Sequence, residues 1–324
     1  MPDITDRGEY AERLRALPAA KRDLLDLLMR QRAGAQRPPG QHPSGQHSPG
    51  QRPPGWHPPG QRSGGLVVLR AAGTRSADPT VLVHPVGGGI FCYAGLSRLL
   101  PGDHPVWAVA AGDALADGAT IEELAANYLR QVSDAGRAPA ILAGWSFGGL
   151  IAYEMARELR RTAARVPPVV LVDTMSWPAG EPAWDLPHTA RVFFSDLVRS
   201  AGTDLDERHL DDVDWAAAPR RVLVEATEVL RRHGLDALLE PAELHHRFRL
   251  YRGAVSAMRR YRPGQHDGPV SLIHARDSAV RPGEWRARVR GPLTVTTVAG
   301  DHYTLLRPPL VARVAAAWPE GTQP

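Results

Sequence analysis

Only one cysteine, Cys92, occurs in 324 residues. No intramolecular disulfide can form and no cysteine-built zinc motif is possible, so metal chemistry would have to come from histidines and carboxylates alone. Lysine is equally scarce, Lys21 being the single one among 39 basic residues. Arginine carries the rest, yet the net charge is only +4. That balance argues against a nucleic-acid-binding design and leaves a weak, distributed positive charge suited to an acidic partner. No apolar run reaches the ~18 residues of a membrane span. The N-terminus "MPDITDRGEYAERLRALPAAKRDLL" also lacks the basic start and apolar stretch of a signal peptide. From these absences we expect a soluble, cytoplasmic protein without nucleic-acid or membrane partners. No G-x-x-x-x-G-K-[S/T] string is present, so a nucleotide phosphate cradle is not expected.

What the sequence does contain is 43% hydrophobic residues, enough for one full-sized core with appendages. Residues 1–33 read as an N-terminal helical segment, with Leu14, Leu17, Leu24, Leu25, Leu27, Leu28 and Met29 at helical spacing. Residues 34–64 hold five pentads, from Gln36–Gly40 "QRPPG" to Trp56–Gly60 "WHPPG". Proline at this density removes amide donors and glycine loosens the chain, so this segment is expected to be a disordered linker.

From residue 65 to about 320 the rhythm changes. "GLVVLR", "TVLVHP", "VWAVAA", "AILAG", "PVVLVD", "PVSLIHA" and "LTVTTVAG" read as short, near-continuously apolar strands, the pattern of buried parallel strands. Between them "YAGLSRLL", "TIEELAANYLRQVSDA" and "GGLIAYEMARELR" have helical periodicity. This alternation predicts an α/β fold with a mostly parallel central sheet flanked by helices, and ligands at the carboxyl ends of the strands. It stops at about residues 178–268, where helical stretches follow one another. So long an insertion between two strands predicts a helical lid.

Chemistry concentrates in "GWSFGG", residues 144–149. Gly144-Trp145-Ser146-Phe147-Gly148 is a G-x-S-x-G string placed after a strand and before a helix, the context of a nucleophile elbow. Glycines at ±2 let strand and helix approach closely. A serine hydroxyl needs a base, held in turn by an acid. His302, in "AGDHYTLL" after the last strand, is placed to reach back over the elbow. His84 belongs to an earlier loop, His42, His47 and His57 to the linker, and His245 and His246 to a lid helix. Two acids are candidates: Asp173, ending the apolar strand "VVLVD", and Asp277, after the next strand in "IHARDSAV". An ionised carboxylate at the end of so apolar a strand needs a partner, which favours Asp173. For the oxyanion, Phe147 can donate its amide, and the glycine-rich "HPVGGG" loop can turn inward the amide of Val86. Cys92 reads as a small buried hydrophobe.

"HPVGGGIFCYAGLSRLL", "TIEELAANYLRQV", "GWSFGGLIAYEMARELR", "VVLVDT" and "GDHYTLL", in this order, resemble the α/β-hydrolase thioesterases that release chains from nonribosomal peptide synthetases and polyketide synthases. The resemblance spans about residues 65–318. It implies an α/β-hydrolase fold with a mobile helical lid, a Ser146–Asp173–His302 triad, and oxyanion donors at Val86 and Phe147. It also implies a substrate held as a thioester on the phosphopantetheine of an acyl or peptidyl carrier protein, with no cofactor of the enzyme's own. The acyl-serine would then be released by hydrolysis, macrocyclisation or transfer to an amine or hydroxyl. Residues 1–64 contain no carrier segment, so we expect a free-standing enzyme or a separately expressed terminal piece, with residues 8–32 as a docking element. The rival readings are a proofreading thioesterase that clears misprimed carriers, a generic serine esterase, and a non-catalytic binding protein on the same fold.

Overall fold

A computed structural model describes residues 64–71, 77–162, 166–176, 185–201, 207–217, 219–232 and 241–319. The helical segment expected over 1–33, the repeat linker up to residue 63 and the "LDALLE" stretch lie outside these residues. Seven strands form one sheet: β1 (Leu66–Arg70), β2 (Thr80–Val83), β3 (Val106–Val109), β4 (Ile141–Trp145), β5 (Val169–Val172), β6 (Val270–Ala275) and β7 (Leu293–Val298), in the order β1-β3-β2-β4-β5-β6-β7. All neighbours are parallel except β1, which runs antiparallel to β3.

The apolar runs are continuous because helices cover both faces. Val81, Val83, Leu142, Val169 and Leu171 face one core, while Leu82, Ile141, Ala143, Val170 and Val172 face the other. This is the period-two alternation of a strand, with apolar residues on both sides. Each such Val, Leu or Ile side chain contributes roughly 1.5–3 kcal/mol on burial. The two edge strands depart from the uniform burial read from sequence. β1 is half-buried throughout, and β7 is exposed at Thr294 and Thr297 and buried only at Val298. An edge has only one neighbouring strand and incomplete cover.

Helix α1 (Ala94–Leu99) follows a short 3-10 turn, and α2 (Asp113–Ala116) and α3 (Ile121–Asp134) follow β3. α3 starts on a capping box in which Thr120 and Glu123 satisfy each other's backbone amides, worth about 1 kcal/mol. α4 (Phe147–Thr162) leaves β4 directly and buries its first ten residues. Between β5 and β6 the described chain forms no strand, but three α-helices, α5 (Leu186–Ala201), α6 (Pro219–Arg232) and α7 (Pro241–Arg260), and a 3-10 turn at Glu207–Leu210. They have a core of their own, built around Phe193, Phe194, Val222, Leu230, Phe248 and Tyr251. Short α8 (Pro282–Arg286) and terminal α9 (Leu310–Ala316) complete the order.

Candidate active site

Ser146 stands between β4 and α4 at φ +57°, in the left-handed region. A non-glycine residue there costs about 1–2 kcal/mol, and persists where the surroundings enforce it. The Ser146 amide donates to Val172 O at 2.9 Å, and the Gly149 amide donates back to Ser146 O at 3.1 Å. The surrounding glycines are sterically required. A Cβ on Gly144 would lie 2.1 Å from the Gly148 carbonyl carbon, one on Gly148 2.1 Å from Val83 O, and one on Gly149 2.0 Å from Thr174 Oγ1. Helix α4 therefore starts pressed against the ends of three strands. Tyr93 fastens the same corner: its buried hydroxyl donates to Val83 O at 2.6 Å and accepts from the Trp145 amide at 2.8 Å. Nothing local in the sequence marks this bridge, because its partners lie 10 and 52 residues away.

Asp173 follows β5, also at positive φ (+42°), with a fully buried side chain. Its Oδ2 lies 2.7 Å from Nδ1 of His302. A carboxylate can only accept, so this contact puts the imidazole proton on Nδ1 and leaves the Nε2 lone pair available. The other oxygen, Oδ1, accepts from the Ala275 amide at 2.8 Å and from Ser278 Oγ at 2.9 Å. The buried charge thus has three donors, which offset its desolvation. Asp277 instead is exposed and uses its amide to bond Gly300 O. The His302 ring lies over Trp145, the residue before Ser146, with centroids 4.9 Å apart and planes at 32°. That contact brings the imidazole to the elbow.

The "HPVGGG" loop forms a turn in which the Gly88 amide donates to Pro85 O at 2.9 Å, with Gly88 at φ +76°. Val86 occupies the second position of this turn, whose own hydrogen bond does not use the Val86 amide. Its side chain packs against both the sheet core and the core of the helical insertion. Phe147, the residue after Ser146, is buried with its ring 5.9 Å from that of His84. His84 is buried between Pro85 O and the Tyr128 hydroxyl, and burial pushes its pKa down to about 4. It is a neutral strut at the base of the loop. Cys92 is half-buried against the α1-side core, and burial pushes its thiol pKa up. His245 is exposed and His246 lies 3.7 Å from Asp113. No cluster of metal-binding side chains occurs among the described residues, and no helix there is long and apolar enough to cross a membrane.

The family profile of the thioesterase domain matches residues 79–318. The chain belongs to this family. The thioesterase is 26% identical over 260 residues to a dimodular nonribosomal peptide synthase of Bacillus subtilis (strain 168), covering 77% of this chain and 10% of that one. It is 29% identical to the chondramide synthase of Chondromyces crocatus, over 79% of this chain and 7% of that one. The chain therefore spans a tenth or less of the length of these two curated relatives. Among solved structures it is similar to a four-domain nonribosomal peptide synthetase bound to AMP and glycine, with a TM-score of 0.68 and 28% identity over 79% of this chain and 20% of that one. It is also similar to the thioesterase domain NocB in covalent complex with a fluorophosphonate nocardicin G analogue, with a TM-score of 0.52 and 25% identity over 78% of this chain and 96% of that one. The fold is thus the α/β-hydrolase fold of serine thioesterases.

Besides Tyr93, sequence reasoning passed over Ser278, Trp145, and a pair that links the insertion to the histidine loop, Asp196 and Tyr303. Trp145 was legible as the variable residue of the G-x-S-x-G string, though its role against His302 was not. The others carry no local signal.

Proposed function

We propose that this thioesterase releases an acyl or peptidyl chain from the phosphopantetheine thioester of a carrier protein through an acyl-serine intermediate. The observation that carries this reading is the 2.7 Å His302–Asp173 hydrogen bond at an elbow whose serine sits at φ +57°. His302 Nε2 takes the proton of Ser146 Oγ as the oxygen adds to the thioester carbonyl. The amides of Val86 and Phe147 receive the oxyanion, each worth about 3 kcal/mol of transition-state stabilisation. The C–S bond then breaks, His302 returns the proton to the departing thiol, and the acyl group remains esterified to Ser146. Water, an amine or a hydroxyl of the chain or of a second molecule attacks this ester. His302 takes that proton and gives it to Ser146 Oγ as the product leaves.

The helices of residues 185–260 serve as a lid over the acyl chamber, and by admitting or excluding water they choose between hydrolysis and capture by another nucleophile. The carrier is a domain of an assembly-line synthetase, a reading supported by the kind of relatives the chain has. The test is reaction with a fluorophosphonate followed by peptide mass spectrometry, together with product analysis on an acyl-loaded carrier. One adduct on Ser146, and turnover abolished in Ser146→Ala, are expected. Labelling elsewhere, or turnover that survives the substitution, would overturn the reading.

A further inference from the structure

The three insertion helices are attached to the body of the protein in two different ways. Helix α7 is fixed to the sheet domain along its length. Arg249 pairs with Asp117 at 2.8 Å, Arg260 donates to Gly118 O at 2.7 Å, and the Tyr261 hydroxyl, just past its end, donates to buried Glu154 on α4 at 2.7 Å. At Gly253 the helix packs so tightly that a Cβ would lie 1.9 Å from Leu115 O. This helix has no freedom to swing without breaking several polar contacts at once.

Helix α5 is attached elsewhere. The Tyr303 hydroxyl donates to Oδ1 of Asp196 on α5 at 3.1 Å. The Arg199 guanidinium sits 5.4 Å from the centre of the Tyr303 ring, and Arg307 donates to the Arg199 carbonyl. All three contacts join α5 to one short segment, the loop that carries His302. Within that loop the Tyr303 ring stands edge-on to the His302 ring, centroids 5.1 Å apart at 89°, and 6.3 Å from that of Trp145. The imidazole is therefore bounded by Trp145 on one side and by Tyr303 on another, with Asp173 at its Nδ1. Asp301 fixes the turn itself by accepting from the Tyr303 and Thr304 amides, both at 2.9 Å.

We propose that Asp196 and Tyr303 form a latch that ties α5 to the histidine loop, so that seating of the lid helix and placement of His302 are one event. Asp196 is then a positioning residue acting through Tyr303, and the proposal rests on the functional reading above. A lid that opens by moving α5 would release Tyr303, and with it one wall of the imidazole's pocket. The base would be held in place only when α5 is seated over the acyl chamber. Burial pushes the Tyr303 hydroxyl pKa up, so this group remains a proton donor through the neutral range. Asp196 is a carboxylate whose charge is penalised by burial, a costly choice for packing alone. Its nearby charges and polar partners include Tyr303, His302, Arg199 and, on α7, Tyr251.

The test uses the full chain, with hydrogen exchange read by mass spectrometry and turnover of an octanoyl N-acetylcysteamine thioester. Tyr303→Phe removes only the hydroxyl, and Asp196→Ala removes its acceptor together with the carboxylate charge. Each is expected to speed exchange in both residues 186–201 and residues 301–309 while leaving residues 246–260 unchanged. Each should lower kcat about three- to tenfold, the worth of one hydrogen bond, with little change in KM. The double variant should lose no more than either single one, and Asp196→Asn, which keeps an acceptor, should restore both readouts. Faster exchange confined to 186–201, or losses that multiply in the double variant, would overturn the latch. If the wild-type chain turns over no thioester and takes no fluorophosphonate on Ser146, the functional reading fails instead. The exchange comparison, which needs no activity, still decides the latch.

Discussion

The amide of Ala275, the last residue of β6, donates at 2.8 Å to Oδ1 of Asp173, which follows β5. The carboxylate that faces His302 is thus held by the neighbouring strand and by Ser278 as well as by the histidine. Position in the sequence leaves two acids open, and burial with three donors distinguishes them. Asp173→Asn should lower kcat/KM by roughly a thousandfold or more, because an amide no longer enforces the imidazole tautomer. Asp277→Asn should stay within about twofold of wild type, as expected of an exposed group. Steady-state kinetics on a carrier-bound thioester checks both, and loss at Asp277 alone would favour the proofreading rival.

Ser278 has a smaller part. Ser278→Ala removes one of three donors to Asp173 without touching the contact to His302. The expected loss in kcat is about three- to tenfold. The same assay reads it, with the melting temperature as a control for folding.

Gly148 is predicted to tolerate no side chain. The Cβ of Gly148→Ala would meet the backbone oxygen of Val83 at 2.1 Å, and a strand carbonyl cannot move aside as a flexible side chain can. A loss of about 3 kcal/mol or more is expected in denaturant unfolding. Gly87→Ala is the control, since a Cβ there would meet nothing within 4 Å.

The buried His84 makes folding sensitive to acid. Its folded pKa is pushed down to about 4 from an ordinary 6.5, so between those values the unfolded chain binds more protons. The stability it contributes is fully present above about pH 6.5 and is lost as the pH falls toward 4, up to about 3 kcal/mol in all. Thermal unfolding between pH 7.5 and 5 should show this decline, and His84→Gln should flatten it. An unchanged slope in that variant would contradict the assignment.

Asp196 acts with the opposite sign. Burial pushes its pKa up to about 6 from 3.8, so the folded chain keeps a proton that the unfolded chain has released. That advantage is present below about pH 4 and is lost as the pH rises through 6, at most about 3 kcal/mol. Asp196→Asn should therefore melt at a higher temperature than wild type at pH 7.5, with the gain shrinking toward pH 5. A lower melting temperature at pH 7.5 would show that the ionised carboxylate stabilises the fold.

Much of this molecule was legible in its sequence because the signals are local. Each strand is announced by a run of apolar residues, and α3 by the helical periodicity of "TIEELAANYLRQVSDA". The elbow is announced by glycines whose absent side chains are demanded within a few residues of Ser146. The antiparallel pairing of β1 was not legible, since a half-buried edge strand and a buried parallel one can share the same apolar spelling. The bridge made by Tyr93 and the support from Ser278 were equally hidden. A hydroxyl shows no partner in a linear string.

Sequence alone therefore determined the alternating α/β architecture, the elbow serine and the loop that carries His302, because backbone sterics and hydrophobic period act between near neighbours. Only the tertiary structure decided that Asp173 rather than Asp277 meets the histidine. It also decided that Tyr303 meets an aspartate 107 residues away. Such pairs form because folding brings distant polar groups out of water together, where each must find a partner or bear the cost of desolvation.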